Sequence, residues 1–301
     1  MKAVVAVAAG LALVAPSALM ALLCAFMAPA VLFGQNDPCP GTDQANTSTA
    51  SLGGLAVMSF NIKYSSWDPA ADGLGAHSAE LAWTARSQTV LALISSMAPD
   101  VVGFQEVNAD QHKLLQAAMD DYAWVGTDTV TPIAYNADRF DKLDSGWTKI
   151  LDEHDPHSTH NRWVRWAKLR DTADNSVFVA ANIHNENGRD NDSARKAALE
   201  VALDALDAAN PKNLPIVLTG DFNADTGADS AKLLYDGGWE PAHETAPISI
   251  VPWDGLSTYN GWGDQLDGSF RLGALRKGMT MDMVWTGHGA AAMAWQIVIP
   301  A

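Results

Sequence analysis

The chain has 301 residues, 48% of them hydrophobic and 18% charged, enough for one large domain or two small ones. Its 35 acidic against 19 basic residues give a net charge of −16, which argues against a broad cationic surface for loose polyanion binding but leaves room for a local cationic or metal site. The 2 cysteines, Cys24 and Cys39, exclude a disulfide scaffold, so the body beyond Cys39 must stand on its core.

Residues 1–34 are apolar with Lys2 as their only charge, and they read as a signal peptide or a membrane anchor. Ala28-Pro29-Ala30 offers a small-x-small cleavage site, whereas the apolar run is long enough to span a bilayer, which takes ~20 residues. Lys2 before it and Asp37 after it place the remainder outside the cytoplasm, secreted or tethered. Residues 35–54, rich in Asn, Asp, Gly, Ser and Thr, are a flexible linker.

The body, 55–301, then alternates strands and helices. Leu55 to Ile62 predicts a strand, and Asp68 to His77 a loop. Trp83 to Met97 has helical spacing, Val101 to Gln105 is an apolar strand, and Ala109 to Met119 is a second helix. Thr131 to Tyr135 and Gly146 to Ile150 predict short strands, and Arg162 to Arg170 and Val177 to His184 longer ones. Asp192 to Ala209 is the clearest helix, with Ser193 as its cap and Ala197, Leu199, Leu203 and Leu206 on its apolar face. The β-branched run that ends at Asp221 is a buried strand, followed by a short helix from Asp229 to Tyr235. After a Trp- and Gly-rich stretch come the strands Thr280 to Thr286 and Ala294 to Ile299. Strands outnumber helices, and helices fall between strand pairs. This predicts an α/β domain of two face-to-face sheets with helices outside.

Five strand ends carry polar groups: Asn61, Glu106, Asn182 with His184, Asp221 with Asn223, and Asp282. A rigid scaffold places a site at such mouths. Glu106 is a hard oxygen donor for Mg²⁺, with Ca²⁺ as an alternative. His184 can stabilise developing charge or protonate a leaving group. A carboxylate beside a carboxamide, as in Asp221 and Asn223, suits water attack on a phosphate ester.

Ser59-Phe60-Asn61-Ile62, Pro99 to Val107 with Glu106 near its end, Asn182-Ile183-His184, Gly220-Asp221-Phe222-Asn223 and Met281-Asp282-Met283-Val284 together resemble the endonuclease/exonuclease/phosphatase superfamily, the deoxyribonuclease-I-like fold. Trp83-x-x-Arg86, the Arg162 to Trp166 strand and Ser257 to Trp262 resemble segments of its secreted bacterial members. The resemblance implies a four-layer αββα sandwich of two mixed sheets and metal-dependent phosphoester hydrolysis. It implies that Glu106 ligates Mg²⁺ or Mn²⁺ with Asn61 in the outer shell, and that Arg162 contacts the phosphate. His184 would serve the transition state or leaving group, Asp221 and Asn223 would orient or activate water, and Asp282 would orient a second histidine. The Ser-Asp-His motif that supplies this histidine in the family, after the 294–299 strand, has no counterpart before Ala301, so the domain is expected to be C-terminally incomplete. His288 is the nearest substitute in sequence.

The expected function is a phosphodiester hydrolase, nucleic acid being the preferred substrate and a phospholipid or sphingomyelin headgroup the second. A non-catalytic relative at the cell surface is the rival, and a phosphomonoesterase, which would share every motif, is a third reading. A monomer is expected, with membrane contact through residues 1–34 if they remain. His154, His157 and His160 could attract zinc but read as a solvated loop around Pro156. Trp253 and Trp262 could stack on bases or lie in a membrane interface, and core packing is the plainer expectation. The acids from Asp68 to Asp72 match no defined calcium loop.

Overall fold

Apolar runs without polar alternation belong to strands covered on both faces. Residues 57–61, 101–105, 216–221 and 282–287 are buried end to end, as that rule requires. The structure is a computed structural model that describes residues 54–68, 70, 78–154, 158, 160–188, 190–250, 258 and 279–297. The N-terminal segment, most of the linker, His157, Asp72, Trp253, Trp262, all of the Ser257 to Trp262 segment except Thr258, and the end of the 294–299 strand lie outside these residues. Among the described residues no helix is long and apolar enough to cross a membrane.

In chain order the elements are β1 (Val57–Asn61), α1 (Ser78–Leu81), α2 (Trp83–Met97), β2 (Val101–Gln105), α3 (Ala109–Ala118), β3 (Tyr122–Val125), β4 (Ile133–Asn136) and β5 (Phe140–Leu151). They continue with β6 (Arg162–Asp171), β7 (Val177–His184), α4 (Asp192–Ala209), β8 (Ile216–Asp221), α5 (Asp229–Asp236), β9 (Glu240–Pro241), α6 (Ala242–Thr245), β10 (Ile248–Ile250), β11 (Asp282–Gly287) and β12 (Ala294–Gln296). One sheet has the order β1-β2-β4-β3 and the other β5-β6-β7-β8-β11-β9; β10 and β12 form a separate parallel pair. Both large sheets are mixed: β1 with β2 and β7 with β8 are parallel, and their other pairings are antiparallel.

Three apolar clusters define four layers. One lies between the sheets, where Val57, Val101 and Ile133 meet Leu169, Phe178 and Val217. A second joins the outer face of the larger sheet to α4 and α5 through Val179, Leu218 and Trp285 against Leu199, Leu206 and Leu234. The third packs Met58, Phe60 and Phe104 against Val90, Ile94 and Leu115 of α2 and α3. The expected αββα sandwich is present.

Several predicted details differ. The strand expected from Gly146 begins at Phe140 and runs 12 residues. As an edge strand of the larger sheet, β5 carries two register shifts and the charges Asp141, Lys142, Asp144 and Lys149. Such irregularity and charge blunt an open edge. The strand expected from Thr131 starts at Ile133, since Pro132 has no N–H to donate. Helix α4 has the expected bounds, but Asn191 is its N-cap rather than Ser193, and Ala197 is exposed while Ala194, Ala198 and Ala202 are buried. Its first turn is fixed through Asp192, which accepts hydrogen bonds from Ser230 N and Oγ at 3.1 and 2.6 Å. Strand β3 gave no usable sequence signal, being four residues long and mostly half-buried.

Near one end of the sandwich the core between the sheets turns from apolar to polar. Gln105 Nε2 donates to Asn182 Oδ1 at 2.7 Å, Asn182 Nδ2 to Phe104 O at 2.7 Å, and Gly220 N to Ser59 Oγ at 3.0 Å. Gly103 permits this approach, since a Cβ there would lie 1.8 Å from Thr219 Oγ1 and 2.7 Å from Asn182 Oδ1. Gly103→Ala is therefore expected to cost about 2–3 kcal/mol, the upper range for an overpacked core. A urea titration would read the loss as a lowered midpoint, and an unchanged midpoint would contradict this account of the seam.

Candidate active site

Side chains alternate along a strand, so the inward positions form rows. On β1 the row is Val57, Ser59, Asn61; on β8 it is Val217, Thr219, Asp221; on β7 it is Phe178, Ala180, Asn182, His184. Each begins in the apolar cluster between the sheets, passes the polar seam, and ends in a group able to do chemistry. His184 and Asp221 are register partners on adjacent parallel strands, and Asp282 is the partner of Asp221 on the other side.

Glu106 follows β2 with φ +59°, and Asn223 follows β8 with φ +51°. Asn tolerates this left-handed region, whereas Glu enters it at a cost of roughly 1–2 kcal/mol. Glu106 directly follows Gln105, whose side chain fills the inward position. Asn61 Nδ2 ties the acids together, donating to Glu106 Oε1 at 3.0 Å and to Asp221 Oδ2 at 2.8 Å. Its Oδ1 accepts from Lys63 N at 3.0 Å. Asp221 Oδ1 accepts from Asn223 N at 3.0 Å, and Asn223 Nδ2 donates to Asn185 O at 3.0 Å. His184 Nε2 lies 3.9 Å from Asp221 Oδ2.

Glu106, His184 and Asp221 are all buried, with ligand atoms within 4.8 Å of one another. They are the one such group among the described residues. Two carboxylates with few other donors suit a hard divalent ion that keeps part of its water shell. Asn61 would act on that ion through the carboxylates it fixes. Among the described residues, neither His154 nor His160 belongs to a group that could hold a metal ion.

Positive charge borders the acids. Lys63 Nζ is 3.1 Å from Glu106 Oε2. Buried Arg86 clamps the turn after β1, donating to the carbonyls of Ile62, Lys63 and Tyr64, and stacks 5.5 Å over Trp83. This accounts for the Trp83-x-x-Arg86 spacing. Burial pulls the Arg86 guanidinium down to about 10, opposed by Glu106, and it stays charged at neutral pH. Burial first, and Glu106 second, push the Tyr64 phenol up, with Arg162 opposing.

Arg162 and His184 line one cavity of about 220 Å³. Arg162 is held from behind by Glu186, a residue the sequence reading missed. Arg162 Nε donates to Glu186 Oε2 at 3.2 Å, and Ser158 Oγ donates to the same oxygen at 2.9 Å. Glu186 is wholly buried, and among the described residues its Oε1 has no hydrogen-bond partner. Only its position two residues after His184 could have drawn attention to it.

Asp282 is buried, and its backbone N donates to Thr258 Oγ1 at 3.0 Å. His288 is at the opposite end of β11, facing Asn213 Oδ1 at 2.5 Å and Asp207 at 3.4 Å. It is therefore not the histidine that Asp282 would orient.

A two-sheet sandwich with an acid, amide and histidine cluster at its strand mouths is the architecture of a metal-assisted hydrolase. Residues 58–301 match the Endonuclease/Exonuclease/phosphatase family, and the chain belongs to it. No curated protein matches the chain. Among solved structures, a mannosyl-6-phosphatase from Bacteroides thetaiotaomicron is similar at 18% identity and TM-score 0.67, covering 81% of this chain and 89% of the other. A family member from Bacteroides vulgatus is similar at 23% identity and TM-score 0.63, covering 81% and 90%. TDP2 of D. rerio, complexed with single strand DNA product, is similar at 16% identity and TM-score 0.57, covering 79% and 84%. These likenesses concern the fold.

Glu186→Ala would leave the Arg162 guanidinium buried without its carboxylate. It is expected to destabilise the fold by about 3–5 kcal/mol, with Glu186→Gln losing less. Paired with Arg162→Leu, the alanine variant should recover most of that loss in urea denaturation. Simple addition of the two single effects would show that the pair is not coupled.

Proposed function

We propose that the chain is a divalent-metal-dependent phosphoester hydrolase in which water attacks phosphorus in line with the departing alcohol. The observation that carries this reading is the buried group of Glu106, His184 and Asp221, with Asn61 bridging the two acids. Mg²⁺ or Mn²⁺, held by Glu106, would neutralise the phosphoryl oxygens. Asp221, fixed by Asn61 and by the backbone of Asn223, orients the attacking water and takes its proton. Asn223 helps to place that water, and Arg162 holds the phosphate. His184, beside Asp221, stabilises the charge that develops or gives a proton to the leaving oxygen. Asp282, the cross-strand neighbour of Asp221, lies where it can orient a further group at the same mouth.

The phosphodiesters of nucleic acid or of a phospholipid headgroup contain the bond this site would cleave. The structural neighbours, among them a mannosyl-6-phosphatase and an enzyme complexed with a single-strand DNA product, support the chemistry without favouring one of these substrates. Action outside the cytoplasm belongs to the same proposal and rests on residues 1–34 alone.

The test is hydrolysis of 4-nitrophenyl phosphate and bis(4-nitrophenyl) phosphate with Mg²⁺ or Mn²⁺, and with chelator. Asp221→Ala and His184→Ala are each expected to lower kcat by roughly 10²–10⁴-fold. Turnover that survives both chelator and Asp221→Ala would overturn the proposal, as would a folded wild type that hydrolyses neither ester.

A further inference from the structure

The turn after β1 carries a lysine in a conformation that lysine seldom adopts. Lys63 has φ +58°, in the left-handed region that a long side chain enters at a cost. Backbone of this kind persists where its surroundings enforce it, and it clusters at working sites. Here Lys63 N donates to Asn61 Oδ1 at 3.0 Å, and Lys63 O accepts from Gln111 Nε2 at 2.9 Å and from Arg86 Nη2 at 3.3 Å. On either side, Ile62 N donates to Gln105 O at 3.1 Å and Ser65 N to Asn108 Oδ1 at 3.2 Å. The side chain is held more loosely. Its ammonium lies 3.1 Å from Glu106 Oε2 and 5.8 Å over the Trp67 ring, and the side chain remains 23% exposed. A fixed backbone thus aims a cation on a flexible stem at the carboxylate assigned to the metal.

The local charges give a reason for that aim. Glu106 and Asp221 are both buried, and the Asn61 amide that bridges them supplies hydrogen bonds but no charge. Carboxylates gathered away from water are costly unless a cation balances them. Arg162, on the other flank, is balanced by a buried carboxylate of its own, Glu186, at 3.2 Å. Lys63 instead has for its partner the group that a divalent ion would claim. An ammonium and a divalent ion on one carboxylate repel each other, so the two compete for it. Tyr64, the next residue, lines the cavity with Arg162 and His184, so the turn that carries Lys63 also borders the place where Arg162 would hold the phosphate.

We propose that Lys63 is an exchangeable counterion: it competes with the divalent ion for Glu106 and, once displaced, binds the phosphoryl oxygens of the substrate. This rests on the phosphoester hydrolase reading above. The exchange makes Lys63 a substrate-binding residue whose ammonium is released by metal loading, so that the loaded site grips a phosphoester more tightly than the stripped one. No covalent bond changes in the exchange. Lys63 gives up one anion for another, and its backbone stays where Arg86 and Gln111 hold it.

The experiment is calorimetric titration of Mn²⁺ and Mg²⁺ into metal-stripped full-length wild type, Lys63→Met and Lys63→Gln, followed by titration of inorganic phosphate into each protein at saturating Mg²⁺. Both variants remove the charge, and the glutamine variant supplies the answer where the methionine variant does not fold. The metal is expected to bind the variants about tenfold more tightly than the wild type, and phosphate about tenfold more weakly, within the usual range of coupling between linked binding events. These opposite signs are the signature of exchange, because a residue that only braced Glu106 would weaken the metal when lost. Metal that binds the variants no more tightly than the wild type would overturn the exchange while leaving the hydrolase reading standing, as would unchanged phosphate affinity. Metal binding to none of the folded proteins would overturn both. The two expected shifts in a protein that hydrolyses no phosphoester would support the exchange and end the hydrolase reading.

Discussion

The two sheets can approach closely at Gly103 because that residue has no Cβ to meet the Thr219 hydroxyl, and the architecture of the site follows from that contact. At such a separation large apolar side chains have no room. Ser59, Gln105, Asn182 and Thr219 occupy the gap instead and hydrogen-bond to one another and to the backbone, with Gln105 Oε1 left without a partner among the described residues. Buried polar networks of this kind fix geometry strongly when their members are paired, since each lost partner leaves a desolvated group behind. Asn61, His184 and Asp221 sit one inward step beyond this seam. Their positions are set by a rigid floor rather than by mobile loops.

The last step into the site breaks strand geometry. Glu106 and Asn223 adopt left-handed backbone immediately past β2 and β8, and the carboxylate of Glu106 thereby joins those of the inward rows. Strain of this kind persists where the surroundings enforce it. Arg86 and Gln111 do so on one side by binding the carbonyls of the turn after β1, from which Lys63 reaches Glu106. Glu186 does so on the other by fixing Arg162. Buried acids thus meet cations on both flanks.

Much of this was legible from residue order. The apolar runs flanked by polar groups located β1, β2, β7, β8 and β11, and the structure brings Asn61, Glu106, His184 and Asp221 together at the mouths of four of them. Asn182 shows the limit of that reasoning: it stands near a strand end yet points into the seam, one inward step short of His184. Glu186 left no periodic signal, because it lies past the end of β7, and its partner Arg162 begins a strand 24 positions earlier in the chain. Ser193 failed as a cap because the chain enters α4 through Asn191 and uses Asp192 to reach α5. His288, adjacent to Asp282's strand in sequence, is carried to the far end by the length of β11.

The seam and its flanking cations have a functional purpose only if the acids they hold apart from bulk water receive a divalent ion. Calorimetric titration of Mg²⁺ and Mn²⁺ into metal-stripped full-length protein tests this most directly, with Glu106→Gln and Asp221→Asn alongside. One saturable site is predicted in the wild type, weakened at least about tenfold in each variant, the scale on which changes around a bound metal act. Equal binding in all three proteins, or no binding to a folded wild type, would contradict it.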